Sequence, residues 1–225
     1  SEIEALYDDS STTEIAGLDG DLTVTLTGDV STPTVMDADH LVAIDGDTTG
    51  LITIDSSATS LSGSYADVHT VLTSNKTRAS ATDTTGVATP TISGLDNLAI
   101  TLTGTTAVTE LIDIQDNYTT GVITATLESR TYAQLIAETT TGTKDIVSGN
   151  NLKFTVSDAT ITATELIELN SMTDGTIDLV GANAAVTISG TAADLKTVYS
   201  ASVADGGNGF LSTGLVDAVA TISDT

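Results

Sequence analysis

The sequence predicts a mainly β chain with short helices, arranged as a repetitive β-solenoid-like array of parallel strands with right-handed crossovers. Three observations carry that expectation: a motif that recurs along the whole chain, alternating threonine–aliphatic runs between its copies, and an aromatic content of only 3%. The first motif occurs as Ser64-Tyr65-Ala66-Asp67-Val68, Thr131-Tyr132-Ala133-Gln134-Leu135 and Thr191-Ala192-Ala193-Asp194-Leu195. The opening Ser1-Glu2-Ile3-Glu4-Ala5-Leu6-Tyr7 aligns with the tail of a further copy. Anchored on Ile3, Val68, Leu135 and Leu195, the spacings are 68 − 3 = 65, 135 − 68 = 67 and 195 − 135 = 60. Repetition at such a period implies stacked units that bury their apolar faces against one another. A tandem row of small β-rich domains is the alternative with the same period.

Taken in order, the first motif predicts a short helix. Ser64, Thr131 and Thr191 each stand three residues before Asp67, Gln134 or Asp194, the spacing of a capping box. Apolar positions such as Leu195, Val198 and Tyr199 follow at helical spacing. A second motif predicts another helix: Asp37-Ala38-Asp39-His40-Leu41, Val108-Thr109-Glu110-Leu111 and Ala163-Thr164-Glu165-Leu166. Asp37 and Thr162 are its candidate caps, and Leu166, Ile167 and Met172 its inward positions. Gly50, Gly121 and Gly175 close each copy, where a left-handed residue commonly ends a helix.

Between the helices lie runs such as Leu22-Thr23-Val24-Thr25-Leu26 and Leu152-Lys153-Phe154-Thr155-Val156. Period-two alternation of β-branched and aliphatic residues marks strands buried on one face. Strands joined through helices pair in parallel with right-handed crossovers. An extra hairpin is expected around Asp178 to Ser189. The units run 1–63, 64–130 and 131–190, with a partial fourth at 191–225. Both ends fall inside the repeat, so the expectation is either a piece of a longer array or ends completed by neighbouring subunits.

Composition narrows the function classes. With 225 residues and 40% hydrophobic content, the chain can bury a core. No run of 18 apolar residues exists, so no membrane insertion is expected. Thirty-one acidic against 6 basic residues give a net charge of −25, which excludes nucleic-acid backbone binding. Such charge suits high salt or abundant divalent cations, which screen or bridge it. The chain has no cysteine, hence neither disulfides nor thiolate metal sites.

Calcium is the sharpest chemical expectation. Asp19-Gly20-Asp21 and Asp45-Gly46-Asp47 each set two carboxylates around a glycine, the second close to Asp37 and Asp39. Hard cations take several carboxylate and carbonyl oxygens, which acidic glycine turns supply. The plainer reading is that Asp-Gly pairs make turns. Asp205-Gly206-Gly207-Asn208-Gly209 echoes half of a nonapeptide calcium repeat but occurs once. His40 and His69 are the two histidines, and neither lies beside a nucleophile motif. Serine-hydrolase, phosphate-loop and zinc-protease signatures are all missing, so no enzyme is expected. Asn75-Lys76-Thr77 and Asn117-Tyr118-Thr119 match the glycosylation sequon.

The stretches Thr-Ala-Thr-Glu-Leu-Ile-Glu-Leu (162–169), Thr-Thr-Gly-Val-Ile (119–123) and Ile-Ser-Gly-Thr-Ala-Ala-Asp-Leu (188–195) resemble those of giant repetitive surface proteins of cyanobacteria and marine bacteria. That resemblance implies an extracellular or cell-surface protein of an S-layer, fibre or adhesin, rich in calcium. The leading expectation is a noncatalytic structural protein whose partners are copies of itself, forming a filament or layer. The alternative is an adhesin or phage tail-fibre segment that binds glycans or receptors.

Overall fold

The computed structural model describes residues 23–26, 34–47, 50–79, 91–139, 149–180, 185–201, 215 and 217–223. Two compact units divide the chain: Ser1–Thr103 with Asn117–Gly121, and Gly104–Asp116 with Val122–Thr225.

The first unit holds β1 (Val24–Leu26), β2 (Thr34–Asp37), α1 (Ala38–Asp47), β3 (Ile52–Ile54), β4 (Ala58–Gly63), α2 (Tyr65–Ala79), β5 (Ile92–Ser93) and most of β6 (Ala99–Thr106). Two parallel ladders result. In one, β3 lies between β1 and β5, with Ile52 opposite both Val24 and Ile92. In the other, β4 lies between β2 and β6, with Leu61 opposite Met36 and Ile100. Ile52, Leu61, Ile92 and Ile100 on the strands are fully buried, as the alternating pattern requires, and Leu41 and Leu72 of the helices are buried with them.

The second unit holds most of α3 (Val108–Asn117), then β7 (Ile123–Arg130), α4 (Tyr132–Thr139), β8 (Asn151–Val156), β9 (Thr160–Thr162), α5 (Ala163–Ser171), β10 (Ile177–Leu179), β11 (Thr187–Gly190), α6 (Ala192–Ala201) and β12 (Val219–Ile222). It too has two parallel ladders, β7-β8-β10 and β9-β11-β12. Leu152, Phe154 and Val156 of β8 turn inward and are buried, while Lys153 and Thr155 between them are only partly covered.

The architecture is therefore mixed α/β, and the mainly β, solenoid-like class expected from the sequence is wrong. The alternative of small β-rich domains fails with it, since each unit carries helices and the described residues contain more helix than strand. The physical reason lies in the connections. A parallel step requires a crossover, and here helices of 8 to 15 residues fill it. α2 continues well beyond its recognisable motif, to Ala79. The repeat is also finer than the sequence suggests. Ile161 pairs with Ile188, a step of 188 − 161 = 27 residues. The second motif opens α1, α3 and α5 and the first opens α2, α4 and α6, so one sequence period contains two strand–helix steps. The expected hairpin near Asp178 does not form either: β10 pairs with β8, whereas β11 pairs with β9 and β12.

Helix starts follow the sequence closely. Thr162 and Glu165 form a reciprocal capping box on α5. Thr131 and Gln134 exchange the same pair of bonds on α4, at 3.0 and 3.3 Å. The Asp67 and Asp194 amides donate to Ser64 Oγ and Thr191 Oγ1 at 3.2 and 3.1 Å. Within α1, Gly46 has open space where a Cβ would stand. Gly46→Ala should therefore stabilise the protein by about 0.5–1 kcal/mol, through helix propensity alone. A higher urea midpoint with unchanged slope would show it.

Candidate functional site

Asp37 ends β2, and Asp39 and His40 fall in the first turn of α1. The strand-to-helix junction brings these three exposed side chains together, with one ligand atom from each within 4.8 Å of the others. The His40 amide donates to Asp39 Oδ1 at 2.8 Å. Two carboxylates and an imidazole suit a borderline divalent metal better than calcium, which takes six to eight oxygens. The sequence reading missed His40 as a member, because the strand-to-helix junction after Asp37, not a helical spacing, brings it to the carboxylates.

The other candidates separate from this group. Asp45 sits two turns further along α1, half-buried, its Oδ2 accepting from Ser74 Oγ at 3.4 Å. Its Oδ1 is buried without a hydrogen-bond partner among the described residues. Asp45, Gly46 and Asp47 are the end of a helix, not an open loop. The side chain of Asp47, and Asp19 and Asp21 altogether, lie outside the described residues.

The recurring Thr-x-Gly segment is a clasp between successive strands. Thr173 is buried, and its hydroxyl oxygen accepts from the amides of Leu152 and Gly175, both at 2.8 Å. The same hydroxyl lies 2.8 and 3.1 Å from the carbonyls of Leu152 and Asn150, to which it can donate. Thr119 repeats the arrangement, bonding the Leu98 carbonyl and the Gly121 amide at 3.2 and 2.9 Å. Gly121 and Gly175 do not adopt the left-handed conformation expected of them; among the described residues the glycines that do are Gly94, Gly104 and Gly149. Their requirement is closeness: a Cβ on either would stand 2.2 Å from the carbonyl oxygen of Leu98 or Leu152. Asn150, also buried, accepts from the Ile123 amide at 2.8 Å and donates to Gln115. Nothing in its sequence context marked it.

Tyr65, His69 and Tyr118 form a ring group, with centroids 5.5 and 5.3 Å apart, and the Tyr118 hydroxyl bonds His69 Nε2 at 3.1 Å. Both sequons carry structural bonds. Asn75 donates to Asp96 Oδ1 at 3.1 Å, and the Thr119 hydroxyl is the clasp just described.

Tyr132 donates its hydroxyl to Glu168 Oε2 at 2.5 Å. This bond, aided by partial burial and the charges of Glu168 and Glu165, pushes the phenol up to about 12 from 10.0. A phenol held protonated in the fold stabilises it fully below pH 10, and that contribution disappears as pH rises through 12. Tyr132→Phe should thus lose a small amount of stability at pH 8 and flatten the decline between pH 10 and 12. Urea midpoints measured across that range would show both effects.

The ladder edges complete the picture. Among the described strands β12 pairs only with β11, and all four of its residues are exposed, Val219 at 53% and Ile222 at 64%. The Val219 and Ser223 amides donate to Val186 and Gly190. Alternation therefore turns the amides and carbonyls of Ala220 and Ile222 to the opposite edge, where no described strand lies. β2 likewise pairs only with β4 among the described strands, and Val35 on it is 60% exposed. Three of the five large exposed hydrophobic residues among the described ones thus lie on these two edge strands. Comparison with protein-family models, with curated proteins and with solved structures found no match.

Proposed function

We propose that this chain is a noncatalytic structural protein of the cell surface that assembles with copies of itself into a filament or layer. The observation that carries the reading is the concentration of exposed apolar side chains on open strand edges. Such edges template pairing with another chain, and proteins that remain monomeric blunt them with charge, proline or cover. β12, with the sequence Val-Ala-Thr-Ile, carries neither charge nor proline, and no described strand covers its second edge. The cell-surface part of the reading rests on acidity, the lack of cysteine and the resemblance to repetitive surface proteins.

Copies carrying −25 each repel one another. Assembly should therefore strengthen as salt or divalent cations screen that charge. Calcium is the divalent cation to try first, on the expectation drawn from the acidic glycine segments of the sequence. Negative-stain imaging of purified protein in calcium, and after chelation, tests it. Fibres or sheets support the reading; isolated particles under all conditions contradict it. Glycan binding by a stable monomer would instead support an adhesin or tail-fibre segment.

A further inference from the structure

We draw no further inference here: the strongest candidate, the exposed Asp37–Asp39–His40 side-chain cluster where β2 runs into α1, belongs to the site already described, and no second feature among the described residues points to an ion held there.

Discussion

Gly175→Ala is expected to destabilise the second unit by about 3 kcal/mol or more, the largest effect of any single added methyl group described above. The new Cβ would stand 2.2 Å from the Leu152 carbonyl oxygen, 2.7 Å from its carbon and 2.8 Å from its nitrogen. All three are backbone atoms of β8, and Leu152 is itself completely buried. No flexible side-chain end can yield, so the strand must move, and the clasp that holds it would break. Gly121→Ala should behave the same way against Leu98 in the first unit. Gly104→Ala separates sterics from conformation: its φ is +77°, but nothing lies within 4 Å. It should cost only about 1–2 kcal/mol, from the left-handed backbone alone. Urea denaturation of the three variants orders them; equal losses would contradict the clash argument.

Thr173→Val should cost about 3 kcal/mol, through a different mechanism. Valine preserves the volume but removes the oxygen that accepts from the Leu152 and Gly175 amides. A buried donor at Leu152 and a part-buried one at Gly175 would be left without acceptors, and each orphaned group costs about 1–3 kcal/mol. The hydroxyl proton bound to the Leu152 or Asn150 carbonyl is lost as well. Thr173→Ser keeps the oxygen and loses only a methyl, so it should recover most of that loss. Thr119→Val should cost less, because its hydroxyl bonds the Leu98 carbonyl and the Gly121 amide at the longer distances of 3.2 and 2.9 Å. A serine variant no more stable than the valine would show that packing, not hydrogen bonding, makes the site important.

Local signals in the sequence proved readable where one residue acts on its near neighbours. Ser64, Thr131, Thr162 and Thr191 cap helices because a hydroxyl three residues from a helical amide has few other partners. Alternation located β8, since a strand with one buried face must repeat every second residue. What depended on distant chain segments was harder to read. Gly121 and Gly175 sit at helix-ending positions, but their need arises from backbone carbonyls 23 residues earlier (121 − 98 and 175 − 152), which spacing does not reveal. The balance of helix over strand was misjudged because α2 outruns its motif into Thr-Ser-Asn-Lys, residues with no helical stripe. The true step of the repeat was hidden because two dissimilar motifs alternate along it. In the acidic group, the carboxylates of Asp37 and Asp39 were apparent and His40 was not, since its part depends on the strand-to-helix turn.

The most direct test of self-assembly is the mass distribution of the purified protein, followed by light scattering against concentration and ionic strength. The account predicts growth from monomer to open-ended polymer as salt or calcium screens the charge, reversed on dilution into low salt or on chelation. A single monomeric mass across the whole range would contradict it.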